Sequence, residues 1–214
     1  MENMETPDVK IDDPAENNKK EFIGIYKSHI TRKGADDLLK YLESGSDFFT
    51  APASSKFHCC HRGGLCEHSI NVYKQLSAIV ATERAAAAER KKELDISEES
   101  IAICGLLHDV CKIDYYKEDF RNVKADNEWV KKPYYAREEK LPYGHGEKSV
   151  YIINGYMRLT RAEALAINWH MGGFDSRSRG GDYSISEAYA INPLCSLLHA
   201  ADLIATYIIE KRGE

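Results

Sequence analysis

Eight histidines punctuate a chain of 214 residues, at positions 29, 58, 61, 68, 108, 145, 170 and 199. One of them is followed directly by an aspartate in a stretch that otherwise reads as core: His108-Asp109 closes the apolar run Ile101 to Leu107. A second aspartate, Asp202, follows LLHAA in another apolar helix pattern. An ionised carboxylate carried into such a helix suffers a large desolvation penalty unless it is exposed or neutralised by a cation. Two aspartates in that setting, each near a histidine in sequence, favour a shared cation. Successive helical residues point about 100° apart, so His108 and Asp109 reach one ion only if it sits on the edge between their directions. Lys112, three positions after Asp109, falls on the aspartate's face beside that ion.

Plainer readings apply to some of these residues. His29 and His199 read as hydrogen-bonded core histidines, and Asp202 taken alone fits a salt bridge as well as a metal role. The remaining histidines fall at the ends of elements, where side chains from different helices can converge: His68 in an opening turn, His145 just before a helix, and His170 in a last turn before Gly172-Gly173. Histidine and carboxylate donors suit divalent ions such as Mn, Fe, Ni, Co or Zn without choosing among them. Such ions generate hydroxide from bound water near neutral pH and stabilise phosphoryl oxygens, so the expected nucleophile is metal-bound hydroxide and not a serine or cysteine.

The elements that must hold these groups are mostly helical. Residues 1–18 are acidic, contain two prolines and show almost no apolar periodicity, which predicts a flexible tail. Two short helical patterns follow between Lys19 and Ser44, then the connector GSDFFTAPASS. Leu65, Val72, Leu76, Ile79 and Val80 recur at helical spacing and predict one long helix continuing through ATERAAAAERKKEL. Ser97 is placed to cap the helix that carries His108-Asp109, TRAE at 160–163 has capping-box spacing, and Asn192-Pro193 opens a last helix running through YIIE. Between Tyr115 and Tyr135, aromatic and β-branched runs flank ADN and predict a small β-hairpin or ordered loop. The expected fold is all-α with that insert, as one domain over residues 19–214 with its core at about 50–210.

The insert supplies candidate substrate contacts. Lys117, Arg121, Asn122 and Lys124 are polar or cationic, and Tyr115, Tyr116 and Trp129 can stack on a base. Arg121 is the preferred phosphate ligand because a guanidinium grips two oxygens; a solvated hairpin is the plain alternative. His58 and His61 in FHCCHRGG can line the mouth of the site, or form a zinc site with Cys59, Cys60 and Cys66. Glu67 reads as a helix-surface carboxylate in preference to an acid or base.

With 43% hydrophobic and 29% charged residues the composition is that of an ordinary globular protein, and a net charge of -5 argues against a surface that coats nucleic acid broadly. Small phosphorylated partners, a nucleotide or an oligonucleotide end, remain compatible with it. No apolar run reaches the roughly 18 residues that span a bilayer, and MENMETPDVK lacks a signal peptide's basic start and apolar centre, so the expected location is the cytoplasm without membrane contact. The six cysteines are expected to be free thiols.

The order His68, His108-Asp109, Asp202 resembles the signature of the HD-domain metal-dependent phosphohydrolases, an all-α superfamily. HRGGLCEHSINVY followed by ICGLLHDVCKID resembles in particular the HD domain of bacterial 3′-to-5′ exoribonucleases, over about residues 50–210. The resemblance implies that His68, His108, Asp109 and Asp202 bind a first metal. By the order of two-metal subfamilies it implies that His145 and His170 complete a second site with Asp109 bridging. It further implies that Asp109 and Lys112 are the catalytic pair, Lys112 contacting the substrate phosphate. No segment resembles the OB barrel that accompanies the exoribonucleases. The expected activity is hydrolysis of a phosphoester or phosphodiester in a nucleotide or short oligonucleotide. The alternatives are a nucleotide or dNTP phosphohydrolase, and a regulatory nucleotide-binding HD protein without turnover.

Overall fold

A computed structural model describes residues 13–125 and 128–210. In chain order it holds α1 (Pro14–His29), α2 (Ala35–Ser44), α3 (Gly64–Glu89), α4 (Glu98–Leu107), β1 (Tyr116–Ala125), β2 (Glu128–Arg137), α5 (His145–Asn154), α6 (Arg161–Trp169), α7 (Ser176–Arg179), α8 (Ser184–Ile191) and α9 (Pro193–Ile204). The chain is thus mostly helical, with one two-stranded antiparallel hairpin inserted after the His-Asp pair.

Helix α4 is the centre of the packing. Ile101, Ala102, Ile103, Cys104, Gly105, Leu106 and Leu107 are all buried. A helix apolar on every side must be surrounded, and α1, α3 and α6 do so. Contact with α3 is close because position 105 has no side chain: a Cβ on Gly105 would lie 2.5 Å from Cα of Tyr73. Helix α9 packs against α3 and α6, burying Leu194, Cys195, Leu198 and Ala201.

The capping expectations hold. Ser97 Oγ accepts from the amide of Ser100, Thr160 and Glu163 form a reciprocal capping box, and Asn192 accepts from the amide of Leu194 with Pro193 in the first turn.

Several boundaries differ from expectation. The tail expected over 1–18 stops earlier, because α1 begins at Pro14: Asp13 accepts from the amide of Ala15, and proline followed by Glu16 starts a helix despite the weak apolar pattern. Residues 1–12 lie outside the described residues. Helix α3 ends at Glu89 instead of running to Leu94. Lys91 turns left-handed at φ 54, and the amides of Lys91 and Lys92 return to the carbonyls of Ala88 and Ala87, a Schellman arrangement that closes the helix. The last helix changes pitch at Ala205–Ile209, a π-helical turn that ends at Glu210. No single helix among the described residues is long and apolar enough to cross a membrane.

Candidate metal centre

The local backbone explains how adjacent residues face one point. Helix α4 stops at Leu107, His108 keeps helical angles, and Asp109 takes φ -106, ψ 15, in the sparsely populated bridge region, before a short 3-10 turn at Val110–Lys112. Asp109 therefore leaves the helical path, which releases the pair from the angular restriction expected of neighbours on a helix. His68 comes from α3, His145 is the first residue of α5, His170 directly follows α6 and Asp202 lies on α9. Six residues from distant parts of the chain meet on the Asp109 carboxylate and its neighbours.

Its two oxygens face different partners. Oδ2 lies 3.4 Å from His68 Nε2, 3.6 Å from His108 Nε2 and 2.5 Å from Lys112 Nζ. Oδ1 lies 2.8 Å from His145 Nε2 and 3.5 Å from His170 Nε2. On the Oδ2 side, His68 Nε2 is also 3.3 Å from Asp202 Oδ1 and 3.2 Å from His108 Nε2. Two groups of donors thus share one carboxylate, His68-His108-Asp202 on one side and His145-His170 on the other.

The far sides of the rings fix their tautomers. His108 Nδ1 donates to the carbonyl of Gly105 at 3.0 Å, and His170 Nδ1 donates to the carbonyl of Ile167 at 2.7 Å. A carbonyl only accepts, so each neutral ring turns a bare Nε2 lone pair toward the cluster. His68 Nδ1 donates to Glu210, 3.0 and 3.1 Å from its two carboxylate oxygens, and Asn71 Nδ2 donates to the same carboxylate at 3.1 Å. Carboxylates and carbonyls behind histidine ligands in this manner orient the ring and raise its basicity toward a metal.

Glu210 is the member that sequence reasoning missed. A signal was there, since a glutamate closing the apolar run LIATYII invites the same desolvation argument as Asp202. Cys111 is a second omission: its Sγ lies 3.4 and 3.5 Å from the two ring nitrogens of His145 and 3.9 Å from Asp109 Oδ1.

The charges suit a cation. Burial alone would raise the Asp109 carboxyl, but Lys112 and the surrounding histidines hold it well below the ordinary range. Asp202 is likewise held down against burial, by His68 first. Glu210 is held down against burial by His68 and Asn71. Three ionised carboxylates against the single ammonium of Lys112 leave two negative charges, which protons offset only if His68 and His170, both raised by these carboxylates against burial, each hold one on a ring nitrogen that faces the cluster. His108 cannot supply another, because burial pushes its pKa down to about 3. Buried charge of this kind is normally paired or metal-bound, and the donor set of imidazole nitrogens and carboxylate oxygens suits a divalent ion. The groups His68-His108-Asp202, His108-Asp109-His170 and Asp109-Cys111-His145, buried except for the partly exposed Asp202 and His145, each place their donor atoms within 4.8 Å of one another, close enough to hold one.

The other expected site residues scatter. His58 stands beside His68, ring centroids 4.8 Å apart; neither of its enclosed nitrogens has a hydrogen-bond partner among the described residues, and burial lowers its pKa to about 4. It therefore lines the centre as a neutral ring. His61 is exposed, with Nε2 3.5 Å from Glu67 Oε2, outside the buried cluster. The zinc alternative survives only in altered form, since the donors that meet there are Cys59, His61 and Glu67, without Cys60 or Cys66. All six cysteines are free. Arg121 and Lys124 lie on the exposed hairpin, about 17 and 27 Å along the strand from its base at Tyr116 at a rise of about 3.4 Å per residue. The structure does not bring them to the cluster. His29 is half-buried and bonded to the Tyr73 hydroxyl at 3.2 Å, and His199 Nδ1 donates to the carbonyl of His170 at 2.7 Å, so the second supports the site from outside.

No protein-family model, curated protein or solved structure matches this chain.

Proposed function

We propose that the chain is a metal-dependent phosphohydrolase of the HD class that hydrolyses a phosphoester or phosphodiester bond in a nucleotide or oligonucleotide. The observation that carries this reading is the division of labour at Asp109, whose Oδ1 and Oδ2 face separate groups of histidines while Lys112 stands against Oδ2. His68, His108, Asp202 and Asp109 Oδ2 would hold one divalent transition-metal ion, and His145, His170 and Asp109 Oδ1 a second. Bound there, such ions would supply an activated water and positive charge for the phosphoryl oxygens under attack.

The chain's own residues supply the rest. Burial alone would lower the Lys112 pKa, but Asp109 drives it upward, so the ammonium stays charged next to the place where a phosphate would sit. It can donate to a non-bridging oxygen without giving up its proton. His58, neutral and without a hydrogen-bond partner among the described residues, offers a ring nitrogen beside His68. Glu210 and the carbonyls of Gly105 and Ile167 hold three imidazoles in register, so the donors are organised before the ion arrives. Six free thiols suit a reducing cytoplasm.

The test is turnover after metal exchange. Protein stripped with chelator and then supplied with Mn, Ni, Co, Fe or Zn should hydrolyse bis-p-nitrophenyl phosphate or p-nitrophenyl phosphate with at least one of them. Absence of metal-dependent turnover on both, with nucleotides and short oligonucleotides equally inert, refutes the assignment.

A further inference from the structure

The hairpin has two unlike sides, and its register separates them. Directly paired residues share a face. Tyr116 pairs with Arg137, Glu118 with Tyr135, Phe120 with Pro133, Asn122 with Lys131 and Lys124 with Trp129. This face carries four aromatic rings and, among the described residues, three cations against one carboxylate. The opposite face carries as many cations, Lys117, Arg121 and Lys132, against Asp119 and Glu128, but its one aromatic ring is engaged: Arg121 lies over Tyr134 at 5.6 Å, and the Tyr134 hydroxyl donates to Asp119 at 3.2 Å.

The aromatic face is the one continuous with the metal centre. At its base Tyr116 is partly buried, with Lys112 and Asp109 among the charges that act on its hydroxyl. Beside it Tyr135 is within electrostatic reach of Cys60 and Arg62, in the loop that leads into α3 and His68. Farther out Phe120 is 63% and Trp129 72% exposed, an apolar display left uncovered among the described residues that needs an explanation. From Tyr116 to Lys124 the strip runs about 27 Å, room for at most about eight nucleotides at a stacked rise of about 3.4 Å.

We propose that this face of the β1-β2 arm binds single-stranded nucleic acid and leads its end to Lys112 and Asp109. Rings spaced along a cationic strip stack on successive bases while Lys124, Lys131 and Arg137 neutralise phosphates, the combination by which proteins hold single strands without reading sequence. The proposal names the substrate class of the centre described above; it rests on that reading for cleavage but not for binding. It also relocates the expected phosphate contact: Arg121 is on the other face, and Lys124 is kept.

Binding is measured by fluorescence anisotropy on the full chain with chelator present, using labelled dT12 and dT2, so the outcome is independent of turnover. The expected result is that dT12 binds at least about tenfold more tightly than dT2. Phe120→Ala with Trp129→Ala should weaken dT12 binding about tenfold or more. Lys124→Ala with Lys131→Ala should lower the slope of log K against log salt by about 1.4, whereas Lys117→Ala with Lys132→Ala, the same loss of charge on the opposite face, leaves the slope within about 0.4. All six positions are exposed, so the variants should keep the wild-type circular dichroism. Equal effects from the two charge pairs, equal affinity for dT2 and dT12, or binding to phosphatidylserine vesicles without binding to dT12 would each overturn the proposal.

Discussion

His68 and Glu210 are 142 positions apart in sequence, and the carboxylate of Glu210 accepts from the ring Nδ1 of His68 at 3.0 Å. The bond determines which nitrogen of His68 faces Asp109, His108 and Asp202. It is made possible by the π-helical turn Ala205–Ile209, which shifts the end of α9 just before Glu210. Single π-helical turns inside helices often mark functional positions.

Glu210→Gln should keep the side chain's size and its contact with Asn71 while removing the charge that holds the His68 tautomer. Metal affinity, read by isothermal titration with Zn or Mn, is expected to fall about 10- to 100-fold with little change in helical content. Unchanged affinity would mean that Glu210 is a bystander.

Gly105→Ala should act on the same centre through packing. Its Cβ would lie 2.5 Å from Cα of Tyr73, so α3 and α4 must move apart, and these two helices carry His68 and His108, whose Nε2 atoms are 3.2 Å apart. We expect about 1–3 kcal/mol of destabilisation and a melting temperature lower by several degrees, together with weaker metal binding. A loss of stability with full metal affinity would show that the cluster tolerates the movement.

A third expectation concerns acid. Glu163, fully buried, would be raised by burial, but Arg32 at 2.7 Å and the capping bonds with Thr160 and Ser100 hold it below the ordinary glutamate value of 4.5. Glu99, on the other side of Arg32 at 3.0 Å, is lowered as well. A depressed carboxylate contributes stability that is present above its unfolded pKa and lost as pH falls through its folded one. Arg32→Met leaves Glu163 buried without its partner and should cost about 3–5 kcal/mol at neutral pH. The gap in melting temperature between wild type and variant should therefore narrow as the pH is lowered from about 7 to below 4.5. A gap that stays constant would place the stabilisation elsewhere than in this ion pair.

Much of this was legible in the sequence where local chemistry decides structure. Ser97, Thr160-Glu163 and Asn192-Pro193 cap helices because their side chains bond amides within three residues, and the hairpin follows from its own aromatic and β-branched runs. Asp109, placed among apolar residues, pointed to the centre by its desolvation cost. What was not legible depends on contacts distant in sequence or on backbone detail. Glu210 reaches His68 through a π-helical turn that no periodicity announces, and the departure of Asp109 from the α4 path is a matter of two dihedral angles. Arg121 was preferred to Lys124 for its guanidinium; strand alternation puts the two on opposite faces, but which aromatic residues of β2 join each face depends on the register.

The central claim is that the Asp109 carboxylate, shared between two groups of histidines, is the hub of a divalent-metal centre that hydrolyses phosphoesters. The most direct measurement is metal content, by mass spectrometry after equilibrium dialysis against Mn or Zn, on wild type and Asp109→Ala in parallel with diester hydrolysis. The account predicts about one to two ions per wild-type chain and, in the variant, less than about half of that with hydrolysis reduced at least about 100-fold and helical content retained. A wild-type chain that retains no ion, or an Asp109→Ala chain that binds and hydrolyses as wild type does, would contradict it.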